Sequence, residues 1–96
     1  MKHYIIVKYT EAVSDEQKVA LIPEIQALFD KTTEIDGVHQ VNLYPNCTPR
    51  PNRYDLMIEM VMDPEALPAY DECVWHKQWK EEYGHLLEKK AIFDCE

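Results

Sequence analysis

Alternating apolar and polar residues along the chain predict four β-strands. Lys2–Tyr9 is rich in β-branched and aromatic residues, a composition typical of strands. Val38–Tyr44 and Tyr54–Met62 share this character. Ala91–Cys95 predicts a short final strand.

A helical segment follows the first strand. Ser14 and Gln17 have the spacing of a capping box, in which each side chain bonds the backbone N–H of the other residue. Apolar residues then recur at spacings of three and four, which indicates a helix: Val19, Ile22, Ile25 and Phe29. Pro23 lies within this segment, and we expect it to kink the helix or to break it in two.

A second helical region lies between the third and fourth strands. Asp63 and Pro64 suit the N-cap and the first position of a helix, and Pro68 is expected to distort its first part. A longer helix is predicted from Val74 to about Lys89, with a stripe of large residues that we interpret as core: Trp75, Trp79, Tyr83, Leu86 and Leu87. The order of elements predicts an α+β, ferredoxin-like βαββαβ fold. Its sheet is four-stranded and antiparallel, with helices on one face.

Alternation along the strands also predicts how the chain assembles. The third strand has one wholly apolar face, which we expect to carry the helices. The opposite face of the sheet still shows four apolar residues: Tyr4, Ile6, Met57 and Val61. A contiguous apolar patch is costly in water and usually marks an interface. We therefore predict a homodimer through the sheet face, about a two-fold axis. The alternative is a mildly apolar sheet that stays exposed.

Length and charge narrow the class of protein. A chain of 96 residues holds one domain, residues 1–96, and its net charge of −8 disfavours nucleic acid or an anionic membrane as a partner. No apolar run reaches the roughly 20 residues of a membrane span, and we expect no signal peptide. The cysteines Cys47, Cys73 and Cys95 are odd in number, which suggests free thiols. We expect a cytoplasmic protein.

Three of the four histidines are predicted to lie at one end of the domain. In this topology the first and second strands run parallel, so their starts meet the start of the second helical region. His3 and His39 are thereby placed near Tyr70 and His76. Imidazole exchanges protons near neutral pH and a tyrosine hydroxyl can donate to an oxyanion, so the set suits general acid–base catalysis. The alternative is that these histidines are strand-end caps or partly buried polar groups.

Metal binding is the weaker interpretation of the same region. Cys73 and His76 lie three residues apart, but they supply only half of a zinc site, and His3 and His39 would have to complete it. The chain has no G-x-S-x-G, G-x-G-x-x-G or H-E-x-x-H motif. We predict neither a metal nor a cofactor.

Several short segments together resemble the stress-responsive A/B barrel (Dabb) family of the dimeric α/β-barrel superfamily. They run nearly end to end: Lys2–Tyr9, Ile35–Val38, Tyr54–Leu56, Pro64–Tyr70, His76 and Ile92–Asp94. The resemblance implies a ferredoxin-like monomer and a dimer whose two sheets form a barrel. This agrees with the dimer predicted above from the uncovered face of the sheet.

The resemblance also implies a site. The polyketide-cyclase branch of the family performs aldol cyclisation without a cofactor. Its catalytic positions correspond to His76 as general base, Tyr70 polarising a carbonyl oxygen and His3 assisting by hydrogen bonding. The expected substrate-binding residues, for a small apolar or carbonyl-containing ligand, are Ile5, Ile22, Ile25, Ile58, Cys73 and Leu87.

The chain departs from the family at one point of this site. Cys73-Val74 stands where a His-Pro pair usually precedes the second-helix histidine. Two other functions stay open. One is a non-catalytic, stress-related dimeric binding protein, and the other is a monooxygenase-type activity of the kind found elsewhere in the superfamily.

Overall fold

Four strands form one antiparallel sheet in the computed structural model, which describes residues 1–96. They are β1 (Lys2–Tyr9), β2 (Val38–Pro45), β3 (Leu56–Met62) and β4 (Leu87–Cys95). Their order across the sheet is β2-β3-β1-β4. Both β1 and β2 pair antiparallel with β3, so they run parallel to each other, as predicted.

Three α-helices and three short 3₁₀ helices connect the strands. The α-helices are α1 (Asp15–Asp30), α2 (Leu67–Glu72) and α3 (Val74–Tyr83). The 3₁₀ helices are Lys31–Glu34, Pro64–Ala66 and Gly84–Leu86. None of the helices combines the length and the apolar character that crossing a membrane requires.

The start of α1 confirms the predicted capping box. The Gln17 backbone N–H donates to Ser14 Oγ at 3.2 Å, and the Ser14 N–H donates to Gln17 Oε1 at 2.8 Å. The break expected at Pro23 does not occur, since α1 is continuous from Asp15 to Asp30. The residues beyond the proline explain this, because they anchor the helix in the core: Ile25, Leu28 and Phe29. Their burial outweighs the loss of one helical hydrogen bond at Pro23.

The second helical region differs from the prediction in three ways. Cys73 separates α2 from α3, and α3 ends at Tyr83 instead of near Lys89. The last strand begins at Leu87 instead of Ala91, because β4 pairs with β1 along nearly all of its length. Asp63 makes no side-chain cap; its carboxylate lies 3.0 Å from His39 Nε2 instead.

The core lies between the helices and one face of the sheet. The apolar face predicted for β3 is buried there: Leu56, Ile58, Met60 and Met62. Trp79 stacks on Tyr83 and meets Phe29 edge to face, with ring centroids 5.5 and 5.2 Å apart. The interpretation of Trp79 and Tyr83 as core residues is therefore confirmed. The thiols of all three cysteines are free, as predicted.

The other face of the sheet, which we call the open face, carries no helix. Its central apolar residues are only half-buried: Tyr4, Ile6, Met57 and Val61. Tyr44 and Phe93 are exposed large hydrophobic residues, and Phe93 retains 59% of its accessible surface. In the strand register, Phe93 lies opposite Tyr4 on the neighbouring strand.

A buried carboxylate lies among the apolar residues of the open face. Glu59 is only 8% exposed. It accepts hydrogen bonds from the Tyr4 hydroxyl at 2.8 Å, the Asn42 amide at 3.0 Å and the Tyr44 hydroxyl at 3.3 Å. These four side chains form what we call the Glu59 network. The network supplies the hydrogen bonds that a carboxylate removed from water requires.

Candidate functional site

A cavity of about 220 Å³ opens between the sheet and the two C-terminal α-helices, near the start of β1. Side chains from β1, β4 and the second helical region line it: His3, Ile5, Tyr70, Asp71, His76, Trp79, Lys90 and Ile92. Polar and titratable groups make up more than half of this lining, in contrast to the apolar core beside it.

His3 enters the cavity from the helix-facing side of β1 and is only 5% exposed. Antiparallel pairing places it directly opposite Asp94 on β4, and His3 Nδ1 lies 2.5 Å from Asp94 Oδ1. An ionised carboxylate can only accept, so we assign the imidazole proton to Nδ1. The Nε2 atom then keeps its lone pair and makes no hydrogen bond to the protein.

His76 is held in the same way by a different acceptor. Its Nδ1 lies 2.9 Å from the backbone carbonyl oxygen of Asp71, which likewise assigns the proton to Nδ1 and leaves Nε2 without a protein partner. The backbone N–H of His76 donates to Cys73 Sγ at 3.3 Å. Cys73 is thus the N-cap of α3, and it fixes the turn that carries His76. Cys73 therefore caps the helix that carries His76, although the His-Pro pair usual in the family is absent here.

Tyr70 lies close to both histidines. Its ring centroid is 5.6 Å from that of His3 and 4.8 Å from that of His76. The Tyr70 side chain is 1% exposed, and its hydroxyl has no hydrogen-bond partner. Burial, with smaller effects of Cys73 and Asp71, raises the pKa of Tyr70 well above its usual value. Tyr70 is therefore a hydrogen-bond donor at neutral pH and not a base.

The other residues predicted for this site lie in several places. Ile5 lines the cavity, whereas Ile25 and Ile58 are completely buried in the core. Leu87 is half-buried against the core, and Ile22 lines a different cavity near the end of β1. The structure thus brings His3, Tyr70 and His76 together and distributes most of the predicted apolar residues elsewhere.

His39 does not join this group. It is absent from the cavity lining, and its Nε2 lies 3.0 Å from Asp63 Oδ1 in a pair that is more than half exposed. No three histidine, cysteine or acidic side chains come together as ligands for a metal ion. The zinc interpretation, which needed His39 beside Cys73 and His76, has no geometric support.

Three charged residues at the site were missed at the level of sequence: Asp71, which lines the cavity, and two residues of β4. Asp94 contacts His3, and Lys90 lines the same cavity. Both lie on β4 with the same strand parity, two residues either side of Ile92. Pairing the start of β1 with the end of β4 is the signal that identifies Asp94, because antiparallel register sets it opposite His3.

A four-stranded antiparallel sheet in the order β2-β3-β1-β4, with helices on one face, defines a ferredoxin-like fold. The chain belongs to the stress responsive A/B barrel (Dabb) family, whose domain model matches residues 1–96. No curated protein matches the chain at a significant level.

Solved structures with the same fold cover nearly the whole chain. A dimeric, ferredoxin-like protein of unknown function from Bacteroides fragilis superposes with a TM-score of 0.79 at 15% identity, covering 99% of this chain and 93% of that chain. A Dabb family protein with a ferredoxin-like fold from Mesorhizobium loti gives 0.65 at 16% identity, with 99% and 93% coverage. Hydroxynitrile lyase from Passiflora edulis gives 0.71 at 14% identity, with 96% and 87% coverage. At these identities the likeness establishes a shared fold.

Proposed function

We propose that the protein is a cofactor-free acid–base catalyst that forms or breaks a carbon–carbon bond in a small carbonyl compound, by aldol-type addition or its reverse. The observation that carries this proposal is the buried, unpartnered Tyr70 hydroxyl beside two histidines whose Nδ1 atoms are both occupied. An unsatisfied buried hydroxyl costs about 1–3 kcal/mol. An oxygen atom of a bound substrate would supply the missing partner.

We assign the base to His3, although the family resemblance gives that role to His76. The carboxylate of Asp94 contacts His3 and stabilises the imidazolium that forms when Nε2 takes a proton. His76 contacts a neutral carbonyl, so its imidazolium receives less stabilisation. His76 is assigned to hydrogen bonding with the substrate.

The step balances without an outside reagent. In the cleavage direction, His3 Nε2 removes the proton of the substrate hydroxyl. The carbon–carbon bond breaks, its electron pair remains on the departing carbon, and the oxygen becomes a carbonyl. The imidazolium then returns the proton to the departing carbanion. Tyr70 donates to the reacting oxygen while that oxygen carries negative charge.

The cavity sets the size of the substrate. Its volume of about 220 Å³ is below the roughly 300–1,000 Å³ that is typical of sites for drug-sized ligands. This volume favours a small substrate over a long poly-β-ketone. A hydroxynitrile suits the proposed reaction, because the carbon that bears its hydroxyl also bears the leaving cyanide. A lyase for such compounds has the same fold.

The test is turnover of two small probes, mandelonitrile and 4-hydroxy-4-methyl-2-pentanone, followed by release of cyanide and of acetone. We expect activity with at least one probe, and a loss of kcat of about 100-fold in both Tyr70→Phe and His3→Gln. His39→Gln is the matched control, because His39 lies outside the cavity and should leave turnover unchanged. Tyr70→Phe removes a single oxygen, so far-UV circular dichroism should show an unchanged fold. Wild-type turnover retained in Tyr70→Phe, or no turnover of either probe, argues against the proposal.

We also propose that the open face forms a homodimer interface. The half-buried apolar residues and the exposed Phe93 support this, and relatives with this fold are dimeric. Light scattering coupled to size exclusion should give a dimer for the natural chain and a monomer for Phe93→Lys. Val19→Lys is the control, because Val19 is at least as exposed as Phe93 but lies on α1, away from the open face. A Phe93→Lys variant that remains dimeric contradicts this interface.

A further inference from the structure

A second and larger cavity lies at the other end of β1 from His3. It measures about 390 Å³ and is bounded by α1, the end of β1 and the connection between β2 and β3. Tyr9, which lines it, is six residues beyond His3, or about 20 Å along the strand. An adjoining cavity shares Tyr9, Lys18 and Asp55 with it. We call the two together the far-end cleft.

The wall of the far-end cleft is apolar where α1 faces β3. Val19, Ile22 and Leu56 line it. Val19 is 68% exposed, which is unusual for a large apolar side chain unless something covers it in use. The volume lies within the range of small-molecule sites, in contrast to the cavity beside His3.

The floor of the cleft holds a satisfied ion pair and one unsatisfied hydroxyl. Asp55 accepts from Lys18 Nζ at 3.1 Å and from the Tyr9 backbone N–H at 2.8 Å, so both of its oxygens have partners. The Tyr9 side chain is 5% exposed, and its hydroxyl has no partner. Because Tyr9 lines the cavity, its unpartnered hydroxyl is the candidate hydrogen-bonding group for a ligand there.

The rim carries the chain's two arginines, Arg50 and Arg53. Neither lies within 4.0 Å of a carboxylate, although acidic residues outnumber basic ones by 18 to 10 in this chain. Four carboxylates line the cleft, and two lysines serve three of them: Asp15 and Asp55 share Lys18, Glu88 lies near Lys8, and Glu11 has no cationic partner. The formal charges of the cleft balance, and Arg50 and Arg53 are the cations in it that have no carboxylate partner.

The loop that bears the arginines has a restricted conformation in the absence of a ligand. Pro49 and Pro51 flank Arg50, and each proline ring fixes its own φ near −65°. The Arg53 guanidinium donates to Asn52 Oδ1 at 2.6 Å. A restricted loop loses less conformational entropy on binding than a flexible one.

We propose that the far-end cleft binds a small amphipathic carboxylate, with its carboxylate at Arg50 and Arg53 and its hydrocarbon part against Val19, Ile22 and Leu56. Arginine suits this role because its planar guanidinium matches a carboxylate in a bidentate pair. The Tyr9 hydroxyl supplies a hydrogen bond to a second polar atom of the ligand. The proposal is independent of the chemistry at His3.

The test uses sodium octanoate as the probe and ¹H–¹⁵N correlation spectra of the full chain as the readout. We expect saturable shifts at the amides of Val19, Ile22 and Arg50, and weaker binding by about tenfold or more in the double variant Arg50→Gln, Arg53→Gln. Both arginines are exposed, so this variant should fold normally. Octanamide, which keeps the hydrocarbon and loses the charge, should bind to the natural chain about as weakly as octanoate binds to the variant.

The His3→Gln variant should bind octanoate as the natural chain does. Shifts confined to the cavity beside His3, equal affinity of the double variant, or equal affinity of octanamide and octanoate would each overturn the proposal. If octanoate produces no saturable shifts in the natural chain, the proposal is also wrong.

Discussion

His3 Nδ1 and Asp94 Oδ1 lie 2.5 Å apart, although 91 positions separate the two residues in the chain. The pair connects the first strand to the last across one antiparallel register. It also connects a buried ring to an exposed carboxylate, since the Asp94 side chain is 41% exposed. Asp94 is therefore a positioning residue. It sets the tautomer of His3 and leaves the Nε2 atom free to act in the cavity.

Replacing Asp94 with asparagine should alter His3 without altering the fold. The asparagine amide can donate to Nδ1, which moves the proton to Nε2 and removes the acceptor from the cavity. We expect kcat to fall by at least about tenfold. The ¹⁵N shifts of His3 should show the exchange of tautomers, a result that a purely structural role of Asp94 would not produce. A variant that keeps both the natural ¹⁵N shifts and the natural kcat contradicts the assignment.

The cap at Cys73 gives a test of how His76 is positioned. A hydroxyl is a stronger N-cap acceptor than a thiol, and alanine provides no acceptor. We expect Cys73→Ser to be more stable than Cys73→Ala by about 1 kcal/mol, as measured by urea unfolding. Serine and alanine are both smaller than cysteine, so the comparison limits differences in packing. Equal stabilities of the two variants would show that the bond from the His76 N–H to Cys73 Sγ contributes little.

The sequence predicts the fold well where local pattern and tertiary packing agree. The bounds of β1 are as predicted, because alternation along Lys2–Tyr9 matches its burial residue by residue. The start of β4 was predicted too late. Glu88, Lys89 and Lys90 are charged, and their strand conformation comes from pairing with β1 instead of from their own composition.

Only part of the candidate site could be predicted, because tertiary packing again determines the rest. Topology alone brings His3, Tyr70 and His76 to one end of the domain. The position of Ile22 depends on how α1 lies over the sheet, because its N-terminal half covers the end of β1 that bears Tyr9, away from His3. The position of Asp94 beside His3 depends on strand register. The hydrophobic pattern does not specify that register for a polar residue at the end of a strand.

Gly37 provides a test of the turn that holds the second helical region against β2. Its φ of +92° is in the left-handed region, and an added Cβ would lie 3.0 Å from Ala66 Cβ. Its carbonyl also accepts from the Asp63 N–H at 2.7 Å, immediately before the segment that leads to Tyr70. We expect Gly37→Ala to lower the free energy of unfolding by about 1–3 kcal/mol.

Gly84→Ala is the matched control for this substitution. Gly84 has a helical φ of −56°, and an added Cβ there would meet nothing within 4 Å. Alanine at this position should leave stability unchanged or raise it by up to about 1 kcal/mol. Equal losses of stability in the two variants would show that the cost at Gly37 does not come from its backbone conformation.

The Glu59 network should make stability depend on pH in a defined direction. Hydrogen bonds from Asn42 and Tyr4 hold the pKa of Glu59 below its ordinary value of 4.5. Because the folded-state pKa is the lower one, this stabilisation is present above pH 4.5 and is lost as the pH falls through the folded-state pKa. The hydrogen bond to Glu59 raises the pKa of Tyr4 to about 12 from 10.0, so the contribution of Tyr4 is lost only as the pH rises toward 12.

Glu59→Gln isolates this contribution, because glutamine keeps the shape of the side chain and removes its charge. Urea unfolding at pH 7 should give a lower midpoint for the variant than for the natural chain. At acid pH, below the folded-state pKa of Glu59, the natural chain carries a neutral Glu59, so the two midpoints should converge. Tyr54→Phe is the control, because Tyr54 lies two residues before β3 and is not a member of the network. A difference in midpoint that is the same at both pH values would show that the ionised form of Glu59 adds nothing to the stability of the open face.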